Sequence, residues 1–172
     1  MKLSIRDFAV ILIVAVVTVA LLWGGQRIYR NSAIQSPLIR SIETVPGVRS
    51  ATLTALGGLK VQFQPYANLM VAYQAVESRA RLALNRVPNV IVESAGDGKL
   101  SALANQVRLV VAQGEATGQY VAMSQQIATV ARQAGARERM TLGNYNVFVT
   151  LWANGHYVDQ VIPLGLGGAH RG

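Results

Sequence analysis

Cysteine is absent from the 172 residues, which excludes disulfides and every thiolate metal or redox site, and leaves the compartment open. Acids are scarce. Eight Asp and Glu stand against 16 Lys and Arg, for a formal charge of +8. Such a balance suits an anionic lipid surface, a nucleic acid or an acidic partner. No basic run is denser than Arg79-x-Arg81 or Arg137-Glu138-Arg139, however, so a phosphate-tracking groove is not expected and nucleic acid is not expected as a partner.

Histidine is nearly absent as well. His156 stands beside a turn signal and His170 near the end of the chain, and neither has a His or carboxylate cluster around it, as a metal site requires. Glu93, Asp97 and Glu115 fall in or beside turns, more than a helical turn apart, and suggest no acid–base pair. Asp159 is expected opposite Thr150, on a strand flank rather than in a pocket. Gly96-Asp97-Gly98-Lys99 lacks the spacing of a phosphate loop, and Ser41, Ser50, Ser94, Ser101 and Ser124 have no nucleophile-elbow context. The sequence therefore predicts no catalytic, metal or cofactor-binding residues, no cofactor and no enzyme.

Against these absences stands one long apolar run, Phe8 to Gly25, with Thr18 as its only polar side chain. As a helix, its eighteen residues reach about 27 Å, close to the hydrocarbon thickness of a bilayer. An all-round apolar helix has no face to offer water, and Trp23 and Tyr29 fall where rings settle at headgroups. Residues 8–25 are thus read as a single transmembrane anchor in contact with membrane lipid, after a short basic N-terminus (1–7). The run is longer than a signal-peptide core, and Trp23-Gly24-Gly25-Gln26-Arg27 offers no cleavage site, so the anchor is expected to stay uncleaved. A short basic N-terminus before a first span points to a domain outside the cytoplasm.

After the span, 26–35 reads as a polar tether, 36–164 as one α+β domain, and 165–172 as a flexible Gly-rich tail. Ser36-Pro37 opens a helix whose stripe is Leu38, Ile39, Ile42 and Val45, and Pro46-Gly47 ends it. From Val48 the period changes to two, giving a hairpin across Gly57-Gly58 that stops at Pro65. Asn68 caps a helix with Leu69, Ala72, Tyr73, Val76, Ala80, Ala83 and Leu84 inward. A short strand spans Asn89 to Glu93. Residues 99–134 are helical in composition, as one rod or, preferably, two segments meeting near Gly114-Glu115; Gly114-x-x-x-Gly118 there suggests a kink or a close helix–sheet approach. Val147–Ala153 and His156–Ile162 flank Asn154-Gly155, the strongest short hairpin signal. That turn pairs Trp152 with Tyr157 and Phe148 with Val161. Helices and a mostly antiparallel sheet in one core make a two-layer α+β sandwich with the strands gathered on one layer.

The run Ile42-Glu43-x-x-Pro46-Gly47-Val48-x-Ser50-Ala51, followed by Gly58-x-x-Val61-x-Phe63-x-Pro65, resembles heavy-metal-associated ferredoxin-like modules over residues 36–93. The CxxC metal loop is missing, and the first strand is replaced by the tether. The resemblance therefore implies the α-β-β-α-β order and no metal carriage. Asn68-x-x-Val71 with Arg86-x-Pro88-Asn89-Val90 is similar to the opening of LemA-type membrane proteins, at a shorter spacing, and the two hairpins do not belong in that all-helical fold.

The expected function is that of a non-enzymatic, single-pass envelope protein of the bacterial type whose domain engages a protein partner or self-associates. A small-molecule or peptide sensor with an apolar pocket between the long helix and the sheet is the alternative, followed by a basic domain on an anionic surface.

Overall fold

The computed structural model describes residue 18 and residues 36–54, 57–94 and 96–165. The chain divides into two units, Met1–Ser41 and Ile42–Gly172. Among the described residues no helix is long and apolar enough to cross a membrane. The predicted span 8–25 lies outside the described residues except for Thr18, which is helical. The N-terminal segment 1–7, the tether 26–35, His170 and the tail beyond Gly165 also lie outside them.

The described chain is a mixed α+β fold with four helices and two small sheets. Helix α1 (Ser36–Glu43) carries Leu38 and Ile42 one turn apart, both buried. Gly47 ends this segment in the left-handed region (φ 91°), where an added Cβ would stand 2.8 Å from that of Ala67. Strands β1 (Val48–Leu53) and β2 (Leu59–Phe63) pair antiparallel, with an irregularity at Arg49. Alternation puts Leu59, Val61 and Phe63 fully inside and leaves Lys60 outward, where it pairs with Glu93 at 2.7 Å.

Helix α2 (Leu69–Leu84) starts where Asn68 accepts the amide hydrogen of Val71. Leu69, Ala72, Val76 and Ala80 form its buried stripe, whereas Ala83, expected inside, is exposed. The chain then returns as β3 (Val90–Glu93), parallel to β2. Two parallel neighbours need a crossover, and α2 supplies it. The first sheet thus has the order β1-β2-β3, and its helix–strand sequence is the α-β-β-α-β order expected.

Residues 98–133 form two helices, α3 (Gly98–Thr117) and α4 (Tyr120–Gln133). Asp97, read as an ordinary turn residue, caps α3 by accepting the amide hydrogen of Leu100 at 2.8 Å. The break comes at Gly118-Gln119, not at Gly114-Glu115 as expected. Gly118 closes α3 in the left-handed region, its amide hydrogen reaching back to Glu115 and Gly114 carbonyls. Gly114 has a different task. It is buried where a Cβ would lie 2.6 Å from Met123 Cβ, so it lets α3 and α4 approach each other rather than a sheet. Gly114→Ala should therefore lose about 1–3 kcal/mol by overpacking. Gly118→Ala meets no atom and should lose only about 1–2 kcal/mol through backbone strain. Urea unfolding of the two variants checks the order.

Three strands complete the chain: β4 (Arg137–Leu142), β5 (Asn146–Ala153) and β6 (His156–Pro163). They form a second, antiparallel sheet in the order β4-β5-β6. The expectation of strands gathered on one layer is corrected here, because the strands divide into two separate three-stranded sheets. Strand β4 is an addition to the elements expected from the sequence. The terminal hairpin agrees with its predicted register: Trp152 faces Tyr157, Phe148 faces Val161, and Thr150 faces Asp159 across the Asn154-Gly155 turn, with positive φ at both turn residues.

Both faces of β5 are covered. Val147, Val149 and Leu151 join α3 and α4 residues such as Leu103, Val107, Val111, Met123 and Ile127 in one apolar core. The opposite face carries Phe148, Thr150 and Trp152 toward the first half of the domain. Phe148 meets Tyr73 of α2 edge-on at 5.6 Å between ring centres.

Candidate functional site

Three side chains fasten the second sheet to the first through four hydrogen bonds, all at one end. The Tyr157 hydroxyl donates to the Phe63 carbonyl at 2.6 Å, and Trp152 Nε1 donates to the Pro65 carbonyl at 2.7 Å. Ser94 Oγ donates to the Asp159 carbonyl at 2.9 Å and accepts the Asp159 amide hydrogen at 2.8 Å. Phe63 and Pro65 mark the finish of β2, and Ser94 follows the finish of β3. Because β2 and β3 are parallel, these points lie on the same side of the first sheet. Moving back along β3 toward Pro88, the edges of β3 and β6 bound a cleft of about 520 Å³.

Elementary ladder geometry says which backbone groups face this cleft. The Leu59 amide hydrogen is donated to the Asn89 carbonyl at 2.8 Å. With a period of two, Asn89, Ile91 and Glu93 turn their peptide groups to β2, and Val90 and Val92 turn theirs away from it. In the second sheet the two-residue turn makes Ala153 and His156 a hydrogen-bonded pair, and alternate pairs follow suit. Asp159 and Val161 therefore turn their peptide groups away from β5. The Ser94 hydroxyl takes both groups of Asp159. Pro163, next in the series, has no amide hydrogen.

The side chains around the opening are polar. Asp159 is 5% exposed and Gln160 9%. Asp159 Oδ1 accepts from the Thr150 hydroxyl at 2.7 Å, while Asp159 Oδ2 and Gln160 Oε1 are buried without a protein donor. Burial pushes the Asp159 carboxyl up to about 6, against the opposing pull of the Thr150 hydrogen bond. Alternation along β6 sends Asp159 to the α2 side of the sheet and Gln160 to the α3 side. Tyr73 of α2 and Arg108 of α3 also line the cleft. Burial raises the Tyr73 hydroxyl above its usual range, and Glu77 adds to this.

Asp159 is thus the correction to the sequence-derived expectation. It stands opposite Thr150 as expected, yet in a cleft and not on an open flank. The cleft itself lies between two strand edges, not between the long helix and a sheet. Glu93 pairs with Lys60, Asp97 caps α3, and His156 is exposed at the hairpin turn, so the three are spent apart from Asp159. Ser94 binds the backbone of Asp159 and not its carboxylate. Among the described residues no group of three or more His, Cys, Asp or Glu could hold a metal ion.

A smaller recess of about 200 Å³ lies by the hairpin tip, where Trp152 stacks on Tyr66 at 6.5 Å and Arg139 sits 5.5 Å above the Trp152 ring. Trp152 and Tyr157 share a register position, but both spend their polar atoms on the first sheet. Comparison with protein families, curated proteins and solved structures gives no match.

Proposed function

We propose that this chain is a membrane-anchored, non-enzymatic assembly module. Residues 8–25 cross the bilayer once, uncleaved, and the α+β domain stands outside the cytoplasm, where it engages another protein. The observation that carries the interaction is the pair of strand edges, β3 and β6, each paired within its own sheet on one side only and facing a common cleft. Unpaired edges are templates for another backbone. The α1-β1-β2-α2-β3 order also suits the ferredoxin-like resemblance. Membrane-tethered domains of that shape recur as ring-building and assembly modules of bacterial envelope machines, an analogy of fold alone.

The anchor is tested by carbonate extraction. The full-length chain should remain in the membrane pellet, and a soluble product missing its first two dozen residues would mean a cleaved signal peptide. An alkaline-phosphatase fusion after Gly172 should be active, and strong activity of a cytoplasmic reporter there would reverse the topology. Purification in detergent should retain a partner or a self-associated species; a bare monomer at every concentration would sink the interaction. A sensor domain is the second reading, supported by a cleft volume inside the usual range for ligand sites. Ligand-dependent thermal shift without any protein partner would favour it.

A further inference from the structure

We infer that the outer edge of β4 pairs antiparallel with the same edge of a second copy of this chain, about a two-fold axis through Met140. The inference rests on the interaction reading, names the partner and places it on an edge outside the cleft.

The edges of the two sheets are not alike. Strand β1 is interrupted at Arg49, the kind of irregularity that blunts an edge. Strands β3 and β6 face one another, and Ser94 ties them by bonding the Asp159 backbone. Strand β4 is different. It pairs with β5 without a break from Arg137 to Leu142 and contains no proline or glycine. The Gly143 amide hydrogen, donated to the Asn146 carbonyl at 2.8 Å, fixes which of its groups are used. Counting back in twos, Thr141, Arg139 and Arg137 turn their peptide groups to β5, and Glu138, Met140 and Leu142 turn theirs outward. Among the described residues no backbone partner meets these outward groups.

The apolar layer is unfinished at the same edge. Val147, Val149 and Leu151 of β5 are fully buried toward α3 and α4. Leu142, Met140 and Glu138 lie beside them in register and share that face. Yet Leu142 is 46% exposed and Met140 only partly buried. An added strand extends the sheet beneath both.

The charge pattern of β4 makes it its own complement. Outward residues must face outward residues for the ladder to form, so a two-fold axis passes through a residue of the strand. An axis at Glu138 or Arg139 sets that charge against itself, which is unfavourable. An axis at Thr141 leaves only 140–142 paired. An axis at Met140 pairs the whole run 138–142. Met140 then meets its own copy, Glu138 meets Leu142, and Arg139 meets Thr141. Arg137 falls opposite Gly143, which has no side chain. Arg139 leans back over the Trp152 ring of its own β5 at 5.5 Å, clear of the axis. One pair of strands is a small interface for a stable dimer, and anchoring in a shared bilayer raises the local concentration that holds it together.

The test uses the full-length chain in detergent, and the absence of cysteine lets each introduced thiol report by itself. Met140→Cys should cross-link to itself under a mild oxidant, since facing residues of a hydrogen-bonded pair stand about 5.5 Å apart at Cα, within disulfide reach. Arg139→Cys and Thr141→Cys should cross-link faster when mixed than either does alone, because the pairing sets one against the other. Ser101→Cys, exposed on α3, gives the rate of random encounter. Met140→Lys puts like charges on the axis and should raise the dimer dissociation constant, read by sedimentation, at least about tenfold. An equal mixture with Met140→Glu should restore the dimer.

If Met140→Lys melts early, Leu142→Glu takes its place: it changes a half-exposed residue and opposes Glu138 of the second copy, and Glu138→Lys in the same chain should rescue it. A bare monomer at every concentration would overturn the proposal, as would cross-linking at position 140 no faster than at 101. A dimer that tolerates both substitutions would place self-association elsewhere and overturn it too. A different protein retained in detergent, with position 140 not cross-linked, keeps the interaction reading and loses only the β4 pairing.

Discussion

Phe148→Ala lowers the unfolding free energy by about 3–5 kcal/mol, the usual cost of emptying a buried phenylalanine site. The ring is 3% exposed and meets Tyr73 of α2, so its removal opens a void between the second sheet and the crossover helix of the first. Neither the helix nor the strand can close that void without shifting, since β5 is held by partners on both edges. Trp152→Ala should rank second. It removes one hydrogen bond to the Pro65 carbonyl and the contacts with Tyr66 and Arg139, together about 2 kcal/mol. His156→Ala takes away an exposed turn side chain and should change stability by less than about 0.5 kcal/mol. Thermal melts of the full-length chain in one detergent measure all three. A domain of ordinary stability, about 5–15 kcal/mol, could fail with the first loss and survives the second. Should His156→Ala abolish a measured activity while its melt stayed unchanged, the hairpin tip would be functional and not merely structural.

Asp159→Asn stabilises the domain at neutral pH and removes a pH dependence. The folded Asp159 carboxyl titrates at about 6 instead of 3.8, because burial disfavours its charge. Between those values the folded state binds the proton and the unfolded state does not. Stability therefore falls as pH rises from about 4 to about 6 and is flat above. The displacement corresponds to about 3 kcal/mol. Asparagine can keep the acceptor for Thr150 and carries no charge, so it matches the protonated form. The two proteins should melt alike near pH 4, and the variant should melt higher by about 10 °C near pH 7.5. Other carboxylates contribute equally to both proteins, so the difference between the two curves isolates Asp159. A parallel pair of curves would mean that a donor reaches Oδ2 in solution.

Local chemistry in the sequence announced most of the elements. Asn154-Gly155 between two alternating runs set the hairpin register residue by residue, and Asn68 marked the start of α2. Strand β4 escaped notice because Arg137-Glu138-Arg139 looks like a solvated charge run. It is an edge strand with one half-exposed face, where such charges are at home. The α3–α4 junction was misplaced by four residues for a related reason. Two glycines stood at helical spacing, and only packing could tell that Gly114 admits Met123 while Gly118 reverses the chain.

The candidate site was less legible. Periodicity reports what a strand is, not which edge it leaves free, so nothing in the local pattern separated one sheet from two. The Asn154-Gly155 turn sets Asp159 opposite Thr150, and the structure agrees. Its backbone is held by Ser94, 65 positions earlier in the chain, and a strand pattern carries no record of such a neighbour.

Each sheet is spun from one uninterrupted stretch, residues 48–93 for the first and 137–163 for the second, and the chain passes between the halves once, through residues 94–97. Contacts inside the first half span up to 31 positions in its parallel pair, Leu59 with Val90, and loop closure across the seam spans more, 94 positions from Phe63 to Tyr157. Docking then closes the longest loops with few bonds: Tyr157 to Phe63, Trp152 to Pro65, and Ser94 to Asp159. The seam between the sheets is thus made by contacts far apart in sequence, with Phe148 and Tyr157 buried inside it.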